Sequence, residues 1–109
     1  MIGRATVGDV AAALARGETV IDVRTPEEYA SGHIPGSRFM PTFAVPLHLS
    51  TLPRRRPIYV VCESGARGLQ ASQYLNERGY NVRNLEGGMG VWRGSGMPVS
   101  VGRESGVRA

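Results

Sequence analysis

The stretch IYVVCESGARG at residues 58–68 decides the fold of this chain. Its first five residues form an uninterrupted apolar run rich in β-branched side chains, which is typical of a strand buried on both faces. The small residues that follow can turn the chain into a helix, which glycine stops at residue 79. A buried strand that passes through a short loop into a helix is the building unit of a parallel sheet.

Further helices and strands alternate with this unit along the chain. Helices are predicted over 7–16, after an N-cap at Thr6, from Pro26 to near Gly32, and over 88–93. Strands are predicted over 19–24, 37–40 and 81–85. The prolines at 41, 46 and 53 exclude a long helix between residues 41 and 57, although residues 47–52 could form a turn or two. The alternation predicts an α/β fold, a parallel sheet covered by helices on both faces.

The length and composition indicate one globular domain. The chain has 109 residues, and domains usually contain about 100–200 residues. We assign residues 1–99 to the domain. Residues 100–109, with two glycines, two serines and little that could pack, are predicted to be a disordered tail.

The charge pattern argues against nucleic acid as a partner. The formal net charge is +4, and all 13 basic residues are arginines, but they are dispersed except at residues 54–56. No apolar stretch is long enough for a secretory signal or a membrane span. We expect a soluble, cytoplasmic protein that binds neither nucleic acid nor membrane.

Cys62 is the only cysteine, and His33 and His48 are the only histidines. One thiol cannot close an intramolecular disulfide, and this set of side chains excludes a cysteine-rich zinc site. We therefore expect no metal, and we interpret Cys62 as a free thiol.

The position of Cys62 predicts a reactive thiol. It stands at the carboxyl end of the buried strand, where ligands of parallel sheets collect. The backbone N–H groups of residues 63–68, the dipole of the next helix and Arg67 all favour the thiolate, which is the nucleophilic form. The alternative is a cysteine that merely fills the core.

Several motifs together resemble the rhodanese family of single-domain sulfurtransferases over about residues 5–99. The matching stretches are DVR at 22–24, PEEY at 26–29, GHIPG at 32–36, CESGAR at 62–67, LEGG at 85–88 and Trp92. The resemblance implies a three-layer sandwich with a five-stranded parallel sheet flanked by helices. It also implies a cysteine that cycles through a persulfide and needs no cofactor.

The resemblance assigns roles to the loop after the strand. Cys62 and Arg67 are the candidate catalytic residues, with Arg67 holding the donor's anionic group and the loop shape. The candidate substrate-binding residues are Glu63, Ser64, Gly65, Ala66 and Gly68. The implied partners are a small sulfur donor such as thiosulfate and a thiol or cyanide acceptor, with a sulfur-carrier protein as a further candidate. We expect a monomer.

Two positions depart from the family's pattern, and alternatives stay open. Glu63 puts a carboxylate where many members that use thiosulfate have a basic or neutral residue, and Gly68 replaces a hydroxyl that often supports the persulfide. A persulfide donor therefore rivals thiosulfate. Related phosphatases and arsenate reductases have five residues between cysteine and arginine, whereas this chain has four. A non-catalytic binding module is the alternative from another class.

Other matching residues are predicted to support the site. Asp22 and Arg24 would brace the loops around it, and His33 would pin a loop by hydrogen bonds. Glu86, Gly87 and Gly88 are predicted to form a turn, in which Glu86 could pair with an arginine such as Arg24. Trp92 is predicted to belong to the core.

Overall fold

The computed structural model describes residues 2–102 and contains a five-stranded parallel sheet. The strands are β1 (Gly3–Ala5), β2 (Thr19–Asp22), β3 (Arg38–Phe39), β4 (Ile58–Val61) and β5 (Val82–Leu85). The helices are α1 (Val7–Ala15), α2 (Pro26–Ser31), α3 (Ala66–Glu77) and α4 (Gly88–Gly94). The α/β class is confirmed. The short β1, which the hydrophobic pattern does not reveal, forms because it pairs with β5 at the sheet edge.

The order of the strands in the sheet is β1-β5-β4-β2-β3, with all neighbours parallel. β4 lies at the centre, and each of its four residues is buried. From β2 the chain continues outward to β3, whereas from β4 it continues in the opposite direction to β5. The crevice between the carboxyl ends of β2 and β4 is therefore the point where a parallel sheet places its ligands.

Two apolar clusters cover the two faces of the sheet. One cluster joins α3 and the segment after β3 to the sheet, and includes Ile21, Val60 and Leu75. The other joins α1 and α4 to the opposite face, and includes Val10 and Trp92. Trp92 is 1% exposed and donates its indole N–H to the carbonyl of Pro98, which confirms its predicted place in the core.

Threonine caps begin two of the helices. The hydroxyl of Thr6 accepts the N–H of Asp9, and the Asp9 carboxylate accepts the N–H of Thr6. The backbone N–H of Thr6, bonded to the carboxylate, is the main cause that lowers the pKa of Asp9. Thr25 and Glu28 form the same reciprocal capping box at the start of α2. The capping box holds the Glu28 carboxylate in the first turn of the helix that follows β2.

The connection from β3 to β4 contains 3₁₀-helical turns over Thr42–Thr51. His48 departs from helical geometry there, and Pro46 lies inside the segment, so no regular helix continues through it. The segment is longer than the turn or two predicted at residues 47–52.

The hydrogen-bonded part of the chain extends to Gly102. The backbones of His33 and Ser100 exchange both hydrogen bonds, and the N–H of Gly102 donates to Ala30. This is beyond the boundary predicted at residue 99. The rest of the predicted tail, residues 103–109, lies outside the described residues. Within residues 2–102, no helix has the length and apolar character needed to span a membrane.

Candidate active site

Cys62 is the first residue after β4 and lies at the crevice between β2 and β4. Its side chain is fully buried, and its Sγ accepts the backbone N–H of Gly65 at 2.8 Å. Gly65 has a φ of +106°, a conformation that lets the loop turn back toward the sulfur. The sequence predicts that several backbone N–H groups of residues 63–68 point at the sulfur. Among the described hydrogen bonds, only that of Gly65 reaches Sγ.

The amino end of α4 holds the backbone on the other side of Cys62. The N–H of Met89 donates to the carbonyl of Cys62 at 2.8 Å, and the N–H of Gly90 donates to Glu63 at 3.2 Å. Gly88 has a φ of +56°, and a Cβ there would overlap the carbonyl oxygen of Cys62. The sequence predicts only a turn and the start of a helix here, so the role of Gly88 as a support for the nucleophile is a structural finding.

Asn84 is a buried polar residue beneath the loop that the sequence reasoning did not single out. Its Nδ2 donates to the carbonyl of Gly65 at 3.2 Å, whereas its Oδ1 is buried without a partner among the described residues. A Cβ at Gly68 would overlap this Oδ1 and would lie 3.3 Å from Cys62 Sγ. The amide of Asn84 therefore occupies the space that a side chain at position 68 would need.

The Arg67 guanidinium is paired with Glu28. Its two Nη groups donate to the two oxygens of the Glu28 carboxylate, each at 2.8 Å. The hydrogen bonds and charge of Arg67 lower the pKa of Glu28 to about 2, and Glu28 in turn raises the pKa of Arg67. The resemblance implies that Arg67 holds the anionic group of the donor. In the structure its guanidinium holds the carboxylate of Glu28 instead.

A buried ion-pair network ties the end of β2 to the same loop. Arg24 is 1% exposed, and its guanidinium donates to Asp22 at 2.8–3.2 Å, to Glu63 at 3.1 Å and to the carbonyl of Gly32 at 2.7 Å. Burial acts to lower the pKa of Arg24, but the bonds from Asp22 and Glu63 raise it overall. The predicted bracing role of Asp22 and Arg24 is confirmed.

Glu63 and Glu86 have partners that the sequence does not predict. Glu63 accepts a second hydrogen bond, from Arg93 at 2.9 Å. Glu86 does pair with an arginine, but its partner is the exposed Arg4 at 3.4 Å and not Arg24, which is enclosed by Asp22 and Glu63. Only the pairing of β1 with β5 brings Arg4 to this position.

His33 supports a loop beside the site. Its ring is fully buried, stacks on Tyr29 with centroids 3.7 Å apart, and places Nδ1 2.8 Å from the carbonyl oxygen of Tyr29. Its backbone pairs with Ser100. The predicted pinning of the loop is confirmed.

Two loop residues reach solvent at a cleft of about 500 Å³. Ser64, Gly65 and Ala66 line this cleft. Ser64 and Ala66 are exposed, whereas Gly65 and Gly68 are buried. Arg4 and Glu86 form part of its wall. The cleft gives solvent access to the loop after Cys62, although Cys62 itself does not line it. Within residues 2–102, no group of three or more histidine, cysteine or acidic side chains could hold a metal ion.

Comparison with known proteins identifies relatives over most of the chain. The model of the rhodanese-like domain family matches residues 6–95. A sulfurtransferase of Allochromatium vinosum is 41% identical over 81 residues, which are 73% of this chain and 76% of that protein. The thiosulfate sulfurtransferase GlpE of Stutzerimonas stutzeri is 33% identical over 78 residues, 71% of this chain and 72% of that protein.

Solved structures include the same architecture. The crystal structure of a rhodanese-related protein from Thermoplasma volcanium superposes with a TM-score of 0.82 at 29% sequence identity. The match covers 91% of this chain and 98% of that one. Most of the fold is thus shared with that protein.

Proposed function

Because the chain belongs to the rhodanese-like domain family, whose curated relatives include named sulfurtransferases, we propose that it transfers sulfur through a persulfide on Cys62. The donor is a sulfane-sulfur compound such as thiosulfate, and the acceptor is cyanide or a thiol. The chemistry needs no metal and no organic cofactor. A sulfur-carrier protein is a further candidate acceptor, and the protein is proposed to act as a cytoplasmic monomer.

The hydrogen bond from Gly65 N–H to Cys62 Sγ carries this proposal. A thiolate is the nucleophilic form of cysteine, and an N–H donor 2.8 Å away stabilises negative charge on that sulfur. The same donor can stabilise the charge of a persulfide. The bonds from α4 to the carbonyls of Cys62 and Glu63 keep the loop in place during the reaction.

The first half-reaction loads the enzyme. The Cys62 thiolate attacks the outer sulfur of thiosulfate, a new S–S bond forms, and the S–S bond of the donor breaks with its electron pair on the leaving sulfite. The charge is conserved, because a thiolate and a dianion become a persulfide anion and a sulfite dianion.

The second half-reaction unloads it. Cyanide or a thiolate attacks the outer sulfur of the persulfide, and the electron pair of the broken S–S bond returns to Cys62 as thiolate. The exposed positions of Ser64 and Ala66 at the cleft provide a route by which an acceptor can reach the loop. The product is thiocyanate or a new persulfide on the acceptor.

Intact-mass spectrometry after incubation with thiosulfate tests the proposal. We expect the wild-type protein to gain the mass of one sulfur atom, to lose it on addition of cyanide, and to produce thiocyanate. Cys62→Ser should neither gain this mass nor produce thiocyanate above background. Equal activity of both proteins, or no sulfur loading from thiosulfate or cysteine persulfide, would contradict the proposal and favour a binding module.

A further inference from the structure

The arginines around the Cys62 loop are balanced by carboxylates of the protein itself. Within the described residues, the ion pairs at the loop and its cleft are Arg24 with Asp22 and Glu63, Arg67 with Glu28, Arg93 with Glu63, and Arg4 with Glu86. Four arginines thus meet four carboxylates. The N–H of Gly65 faces the sulfur, where a substrate would react. Each of these guanidinium groups, however, is already paired with a carboxylate of the protein.

The Glu28–Arg67 pair has the firmest geometry at the solvent side of the loop. It is bidentate, with both distances at 2.8 Å, which is the arrangement that makes an arginine–carboxylate pair strong. Glu28 is itself held, because its carboxylate accepts the N–H of Thr25 at 3.0 Å in the capping box. The side chains of Arg67 and Glu28 are 39% and 32% exposed, so a substrate in solution can reach them.

A donor that needs Arg67 must therefore compete with Glu28. Thiosulfate carries negative charge on both its sulfane sulfur and the sulfonate bonded to it, so the whole dianion must come close to the loop. Because Arg67 is held by Glu28, and Arg24 and Arg93 by Glu63, the loop presents little free positive charge to such an ion. A thiol persulfide bears no sulfonate next to the sulfur that it transfers.

We propose that Glu28 is a positioning residue that acts through Arg67 to make thiol persulfides better sulfur donors than thiosulfate. This inference rests on the proposed function, since it concerns the donor of the same reaction. In the loading step the Cys62 thiolate attacks the terminal sulfur of R–S–SH, and the S–S bond of the donor breaks. The thiolate R–S⁻ leaves and takes up the proton of the transferred sulfur, so the products are R–SH and the Cys62 persulfide anion.

Steady-state kinetics of Glu28→Gln with two donors test this inference. Glutamine keeps the cap on Thr25 but removes the charge that holds Arg67. We expect the KM for thiosulfate to fall about fivefold. This factor corresponds to the upper end of the interaction free energies of solvent-exposed ion pairs. The KM for cysteine persulfide should remain within a factor of two, because its sulfur does not need the guanidinium.

Two further variants separate this effect from general damage. Glu27→Gln removes an adjacent, exposed carboxylate in the same turn and should leave both KM values unchanged. In the double variant Glu28→Gln with Arg67→Met, the gain for thiosulfate should disappear, because the freed guanidinium is gone. These comparisons report donor preference, which a loss of folded protein would not change.

The outcomes distinguish the two proposals. If the wild-type protein is loaded by neither donor, the proposed function fails. If it is loaded but Glu28→Gln leaves the ratio of the two KM values unchanged, or lowers both equally, the function stands and the role of Glu28 is overturned. A wild-type kcat/KM for thiosulfate above that for cysteine persulfide would also overturn it.

Discussion

At the scale of single residues, Asn84 and Gly68 form one unit beneath Cys62. Gly68 leaves room for the Asn84 amide, and that amide holds the carbonyl of Gly65, whose N–H contacts the sulfur. Asn84 thus acts on Cys62 through the loop backbone. A glycine at position 68 is explained by this neighbour, because a side chain would have to displace the amide.

Gly68→Ala is expected to impair sulfur transfer more than it impairs folding. The new methyl group pushes Asn84 away and breaks its hydrogen bond to Gly65, which lowers the free energy of unfolding by about 1 kcal/mol. The better helix propensity of alanine largely offsets this change. Because the N–H at the sulfur shifts, kcat/KM should fall about tenfold. Thiocyanate assays and urea unfolding measure the two effects. Gly8→Ala in α1, where only Thr6 lies nearby at 3.7 Å, should leave kcat/KM unchanged and stability unchanged or raised by up to about 1 kcal/mol.

At the scale of elements, the active-site loop depends on the start of α4. This helix has only seven residues, and its first N–H groups bond to Cys62 and Glu63 instead of to water. The close approach requires Gly88, where a Cβ would overlap backbone atoms of the loop. The last helix of the domain is thus a structural part of the site.

Gly88→Ala is expected to destabilise the protein by more than about 2 kcal/mol, because it combines a left-handed conformation with overlap against backbone. Sulfur loading of the remaining folded fraction should also fall, since the loop must move. Gly94→Ala is the matched control in the same helix, where nothing lies within 4 Å of the new methyl. That variant should be neutral or stabilised by up to about 1 kcal/mol in urea unfolding. Similar losses in both variants would show that α4 does not support the loop.

For the whole molecule, Glu28 and Arg67 connect two helices that follow neighbouring strands of the sheet, β2 and β4. Glu28 lies in the first turn of α2 and Arg67 in the first turn of α3, 39 residues apart in the chain. The pair links the segment that follows β2 to the segment that follows β4. It couples the stability of the fold to the protonation of one carboxylate.

The pH dependence of stability follows from this coupling. The folded-state pKa of Glu28 is about 2 against an ordinary value of 4.5, so its contribution is present above pH 4.5 and is lost as the pH falls toward 2. At pH 7 we expect Glu28→Gln to be less stable than wild type by about 0.5–1 kcal/mol. The difference between their urea midpoints should shrink between pH 4.5 and pH 2. A difference that stays constant over this range would exclude the ionised pair as its source.

Most of the fold and part of the site can be read from local patterns. The runs at β2, β4 and β5 and the glycines after α1 and α3 are local signals, and they predict the α/β class and the elements within a few residues. β1 lacks such a signal, because three residues at a sheet edge are ordered by their partner strand. The partners of Arg4, Glu28, Glu63 and Asn84 are equally hidden, since each depends on contacts distant in the chain.

By itself, the sequence determined that one thiol stands at the carboxyl end of a buried strand, before a loop of small residues and a helix. These are properties of neighbouring residues, and hydrophobic burial with backbone conformation suffices to establish them. Only the tertiary structure decided what faces that thiol and the arginine after it. The order of the strands brings Glu28, Asn84 and the start of α4 around the loop, and charge pairing between distant segments follows from that packing alone.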